Sequence, residues 1–132
     1  MALRDQLNPW APRVLSIVRI VAGLAFMVHG LGKHLGFPDL GFVAEPGSAG
    51  WIAGWIELVG GGLIAIGLFT RAAAFICSGT MAVAYFMAHA PQNFFPATNG
   101  GEAALLYCFI FFYFVFAGPG PWSVDAKMGK DR

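Results

Sequence analysis

Charge is scarce in this chain. Only 11% of its 132 residues are Asp, Glu, Lys or Arg, against about 25% in a soluble globular domain. Eight basic residues nearly balance seven acidic ones, and no basic run exists, which leaves nucleic acid without a surface to bind. Cysteine is rarer still. Cys77 and Cys108 fall in apolar stretches and form no CxxC pair, so they read as small core residues. A hydrocarbon environment also disfavours the thiolate that redox chemistry needs. The sequence has no HExxH spacing, no histidine pair placed for haem, no flavin motif, no phosphate-binding loop and no nucleophile elbow. No metal, haem or flavin site is therefore expected.

Apolar length is abundant. Hydrophobic residues make up 58% of the chain, and its mean hydropathy is +0.66. Four apolar segments, residues 14–31, 51–69, 72–90 and 103–117, are separated by turn-rich connections. A span needs about 20 residues at about 1.5 Å each. The first three reach that scale, and the fourth is short but extremely apolar. The pattern predicts an all-α polytopic membrane protein, a four-transmembrane-helix antiparallel bundle, as a single domain over residues 1–132. Residues 14–31 are too long for a signal-peptide core, contain Arg19 and precede no A-x-A-like site, so they are expected to remain as the first span. Thr70 and Arg71 are expected to form the turn between the second and third helices.

Four crossings place Arg4, Arg13, Arg71, Lys127, Lys130 and Arg132 on one side of the membrane. The other side has Lys33 with the acids Asp39, Glu45 and Glu102. The positive-inside rule then predicts cytoplasmic termini in a bacterial inner membrane. Glycine-rich faces, such as Gly60, Gly61 and Gly62, make self-association into a homo-oligomer a candidate state.

A charge within the bilayer costs at least about 2.5–3.5 kcal/mol, so the few present are informative. Arg19, Ala22, Phe26, His29 and Lys33 recur at helical spacing and form one stripe. Gly54, Glu57 and Gly61 form another, with glycines that admit a neighbouring backbone. If the stripes face each other, Arg19 and Glu57 form a structural ion pair that locks the helices in register. His29, Glu57, His89 and Glu102, with Lys33 and Asn99 at the rim, would line a polar pocket near the outer leaflet. Histidine beside carboxylate relays protons near neutral pH and hydrogen-bonds a quinone head.

Four stretches then carry a resemblance: RIVAGLAFMVHGLGK at residues 19–33, WIELVGGGLIAIGLFTR at 55–71, NGGEAALLYC at 99–108 and GPGPWSVD at 118–125. In this order and with these polar residues the chain resembles the DoxX family of small bacterial and archaeal membrane proteins. The resemblance implies a four-helix inner-membrane bundle linked to redox chemistry. Relatives are described as subunits of quinol or thiosulfate:quinone oxidoreductases and as membrane parts of complexes that recruit soluble enzymes. It carries over Arg19, His29, Lys33, Glu57, Asn99 and Glu102 as shared positions without assigning them roles. The expected function is an accessory subunit of a quinone-linked oxidoreductase system, with a quinone in the outer pocket and soluble or membrane redox proteins as partners. The alternatives are a non-enzymatic scaffold or assembly factor, and a pathway for small solutes or protons.

Overall fold

The computed structural model describes residues 1–131. Its element order is α1 (Leu3–Leu7), a 3-10 turn (Asn8–Trp10), α2 (Ala11–Leu35), α3 (Ala49–Ile66), α4 (Thr70–Ala84) continued by a π-helical turn (Tyr85–His89), α5 (Pro96–Asn99), α6 (Glu102–Ala117) and α7 (Val124–Lys127). No strand occurs among the described residues. Three helical stretches, Leu3–Leu35, Ala49–Ile66 and Thr70–His89, are long and apolar enough to cross a membrane, and Glu102–Ala117 is a shorter apolar helix. The architecture is a membrane helical bundle. At about 1.5 Å per residue α6 spans about 24 Å, a length that a locally thinned bilayer accommodates.

Helix ends follow local chemistry. Gly36, in the left-handed region with φ of 71°, stops α2 and bonds back to Gly32 O at 3.0 Å. The Ser48 hydroxyl caps α3 by accepting from the Trp51 N–H at 3.2 Å. The turn between α3 and α4 comes earlier than expected. It is made by Gly67, Leu68 and Phe69, and Thr70 and Arg71 already belong to α4. The reason is a Schellman closure at Gly67 (φ 73°), where Leu68 N bonds to Leu63 O at 2.9 Å and Gly67 N to Ile64 O at 3.1 Å.

Two helix pairs build the bundle: α2 lies along α3 and α4 along α6, while α3 meets α4 over a smaller area and α2 barely touches α6. Glycine sets the first pair. A Cβ at Gly23 would lie 2.6 Å from Ala65 N, one at Gly30 2.6 Å from Leu58 N, and one at Gly61 2.7 Å from Met27 N. The two backbones touch directly, as Gly61 of the α3 stripe predicted. The α4–α6 pair is tied by the Ser78 hydroxyl, which donates to Cys108 O at 2.7 Å. Phe26, Ile64, Cys77, Phe111 and Phe114 fill the space between the pairs.

Candidate functional site

The ionisable groups inside the bundle divide between its two ends. At the end shared by both chain termini and the α3–α4 turn, Arg19 is fully buried, with 1% exposure. It does not pair with Glu57. Its guanidinium donates to four backbone carbonyls: Ile64 O at 2.9 Å, Ala65 O at 3.4 Å, Trp122 O at 2.7 Å, and Pro119 O by a very short contact. The physical reason is the Gly67 turn and the Gly118–Pro121 segment. The first frees the last carbonyls of α3, and the second folds back over α2 without a helical ladder of its own. Those acceptors need donors, and a planar guanidinium with five N–H groups supplies them. The Ser16 hydroxyl accepts from Trp122 N at 3.1 Å beside it.

Asp125 completes this end. It is fully buried, accepts from Phe69 N and Thr70 N at 3.0 Å each, and its own N–H bonds to Gly67 O at 2.9 Å. The carboxylate caps α4 from the far end of the sequence, and its charge acts on Arg19. Outside it, Arg71 holds Asp131 with two contacts of 2.9 Å and also donates to Val115 O and Phe116 O at 2.8 Å. The guanidinium hydrogen bonds hold the Asp131 carboxyl below the usual carboxylate range.

The opposite end is open. A cleft of about 1090 Å³ lies between the two helix pairs, walled mainly by Phe26, Ile52, Ala53, Ile56, Val83, Ala84, Met87 and Ala104. His29, Lys33, Glu57 and His89 bring polar chemistry into it, with Tyr107 and Thr80. Glu57 is 3% exposed, and the partner it has in place of Arg19 is Lys33, whose Nζ stands 2.7 Å from Oε1. Lys33 extends the α2 stripe one turn beyond His29, so its long stem reaches down to the carboxylate. Lys33 is the one partner of Oε1 among the described residues, and a carboxylate has lone pairs for more than one donor. Glu57 thus keeps accepting capacity in a mostly apolar chamber. The His29 ring lies edge-on to Tyr107 at 6.0 Å, and Tyr107 packs on Phe26 at 5.1 Å.

Two sequence candidates lie elsewhere. Asn99 is buried at the end of α5 rather than at the rim. It donates to Tyr85 Oη at 3.1 Å and to Asn93 O at 2.9 Å, and its Oδ1 accepts from Gly101 N at 2.7 Å. Glu102 begins α6 as an exposed first-turn acid and does not line the cleft. His89 bridges the two settings, because it lines the cleft while Nδ1 contacts Asn99 O at 3.1 Å. No group of three or more His, Cys, Asp or Glu placed to hold a metal occurs among the described residues.

Sequence reasoning passed over Asp125, Tyr107 and His34. Asp125 sits in the stretch GPGPWSVD, after a Ser123 that accepts from Ala126 N at 3.0 Å, and this helix-capping serine was the readable signal. His34 is held against Trp55 at 4.3 Å and Trp51 at 5.7 Å, with Nε2 buried and no hydrogen-bond partner among the described residues. Only the pairing of α2 with α3 brings it there.

Comparison with known proteins agrees with this architecture. A Haemophilus influenzae protein described as uncharacterized is 44% identical over 96% of this chain and 98% of its own length. An uncharacterized membrane protein of Mycobacterium tuberculosis is 24% identical over 98% of this chain and 95% of its own. A Bacillus subtilis protein named "Putative oxidoreductase CatD" is 36% identical over 42% of this chain and 44% of its own. No solved structure matches. The model of the DoxX family matches residues 14–90, more than half of the chain, and with the fold and the full-length relative this establishes that the protein is a member of the DoxX family.

Proposed function

We propose that this protein binds the head of a membrane quinone in the open cleft and serves as an accessory subunit of a quinone-linked oxidoreductase system in the bacterial inner membrane. One observation carries the reading: a buried carboxylate stands 2.7 Å from an ammonium in a mostly apolar chamber that two histidines also line. A quinone, when bound, supplies a carrier of two electrons and two protons. Lys33 suits its carbonyl oxygens as a donor, and Glu57 suits the hydroxyl of the reduced form as an acceptor. His29 and His89 add imidazole nitrogens that donate or accept hydrogen bonds at the cleft wall. The similarity of part of the chain to a protein named as an oxidoreductase supports the redox context. The electrons pass to or from partner proteins.

The test is native mass spectrometry of protein extracted in mild detergent, with a quinone titration of the parent and of Glu57→Gln. The parent should carry or bind quinone, and Glu57→Gln should lose it while remaining folded. Unchanged quinone binding by folded Glu57→Gln would refute the pocket. A parent that binds no quinone but co-purifies with a defined redox protein would favour the scaffold reading. The cytoplasmic placement of both termini rests on the basic residues at the closed end, and a periplasmic reporter active at the C-terminus would overturn it.

A further inference from the structure

The cleft ends at a gap in the helix wall. Gly60 abuts the Cys77 thiol where α3 meets α4. One turn further toward the open end, Glu57 on α3 and Thr80 on α4 stand at the same depth, since each is three residues from that contact. Gly79 lies beside Thr80. It is the only glycine within a spanning helix, among the described residues, at which an added Cβ would meet nothing within 4 Å. The other glycines of α2 and α3 touch a neighbour. Gly79 is exposed and also lines the cleft. It belongs to the outward face of α4, with Phe75 (64% exposed), Ile76 (56%), Val83 (57%) and Phe86 (65%) around it. In a membrane protein that face meets acyl chains. The opposite lip is apolar as well, formed by Ile52 and Ile56 of α3. Thr80 puts no free donor into the gap, because its hydroxyl bonds back to Ile76 O at 2.8 Å.

We propose that this gap is a lateral portal: the ligand is a long-tailed amphiphile that reaches the Lys33–Glu57 pair from within the bilayer, and its apolar tail leaves between α3 and α4 across Gly79. The proposal rests on the quinone-head reading and deepens it by naming the tail and its route. Glycine at position 79 keeps the route open, because any larger side chain there would occupy the space the tail needs. The buried carboxylate and the portal lie at one depth, so a head seated on Glu57 brings its first tail carbons to Gly79.

The experiment uses the full chain in lipid nanodiscs with two probes, a dimethoxy-methyl benzoquinone without a tail and the same head carrying a decyl chain. The variants are Gly79→Trp, which fills the gap, Gly79→Ala, which leaves most of it open, and Val83→Trp, which narrows the same wall. The parent and Gly79→Ala should prefer the decyl probe. Gly79→Trp should weaken the decyl probe about tenfold or more, since losing burial of two methylenes is enough for that factor. The tailless probe should be weakened much less than the decyl probe, since it has no tail to pass Gly79. Val83→Trp should act in the same direction and serves as the deciding variant if Gly79→Trp does not fold.

Equal loss of both probes, or undiminished decyl binding in both tryptophan variants, overturns the portal. A Gly79→Trp variant that binds both probes normally but changes oligomeric state overturns it in favour of a contact between copies of this chain. If the parent binds neither probe, the quinone reading fails, and native mass spectrometry of tightly held phospholipid decides the portal. Lipid held by the parent and lost in the tryptophan variants sustains it, and no tightly held lipid in the parent overturns it.

Discussion

The two ends of the bundle use buried charge in opposite ways. At the closed end every donor of Arg19 that reaches a partner meets a backbone carbonyl, and Asp125 caps α4 through two N–H groups. Three parts of the chain that are distant in sequence, the start of α2, the α3–α4 turn and the segment after α6, are pinned there by hydrogen bonds. At the open end Glu57 has Lys33 as its partner and keeps lone pairs to spare, and a chamber stands in front of the pair. Desolvating a charge is tolerable when every partner is supplied by the protein, and such a cluster ties the chain together with its charges already taken. A charge pair with lone pairs to spare beside a cavity is the arrangement that accepts a ligand.

This contrast can be broken most strongly at Arg19. Arg19→Leu leaves the Ala65 and Trp122 carbonyls without donors, each costing about 1–3 kcal/mol, so the variant should lose about 4 kcal/mol and fail to accumulate as folded protein. Size-exclusion recovery and thermal melting in detergent measure it, and a melting temperature like the parent's would show that the closed end is not the structural anchor. Gly61→Leu should come next, at about 2–3 kcal/mol, because its Cβ would sit 2.7 Å from Met27 N and force α2 off α3. Melting of that variant beside Gly62→Ala, whose Cβ would make only an ordinary 3.6 Å contact with Met27 Sδ, separates the face of the helix from the mere loss of a glycine.

His29→Ala tests the open end. The side chain is half-buried, and its replacement should cost about 1 kcal/mol or less while lowering quinone affinity about tenfold. A stability loss as large as that at Arg19, with ligand content intact in the folded fraction, would erase the difference between the two ends. The smallest effect is expected at the rim of the closed end. Asp131→Asn removes an exposed carboxylate–guanidinium pair worth about 0.5 kcal/mol. Because pairing lowers the carboxyl's pKa in the folded state, its contribution is present above the unfolded value of about 3.9 and disappears as pH falls through the lower folded value. The parent and Asp131→Asn should therefore differ in melting temperature at pH 7 and converge near pH 2, within the scale of an exposed pair of about 1 kcal/mol. A difference that persists in acid would assign the effect to something other than the carboxylate charge.

Much of the architecture was written locally. Hydropathy alone marks four apolar segments, because a membrane span is a property of about 20 consecutive residues. The glycine stripe of α3 was legible for a related reason: helical spacing decides which residues share a face, and glycine on a face signals a close backbone. His29, Lys33, Glu57 and His89 were also found as the ionisable residues of one half of the bundle, and the fold brings them to one cleft. The partner of each charge was not legible. Proximity in depth suggested Arg19 for Glu57, but Arg19 is taken by carbonyls at residues 64, 65, 119 and 122. Those acceptors exist only because the chain turns at Gly67 and folds back after Gly118. Asn99 looked like a rim residue and Glu102 like a lining one by position, yet the first is consumed by hydrogen bonds to Tyr85, Asn93 and Gly101 and the second is an exposed first-turn acid outside the cleft lining. Composition and periodicity by themselves determined that this protein is a helical membrane bundle with charge at two levels. Which charge is locked by carbonyls and which stands at the open cleft was decided by tertiary structure, because hydrogen-bond satisfaction depends on backbone groups brought together from opposite ends of the chain.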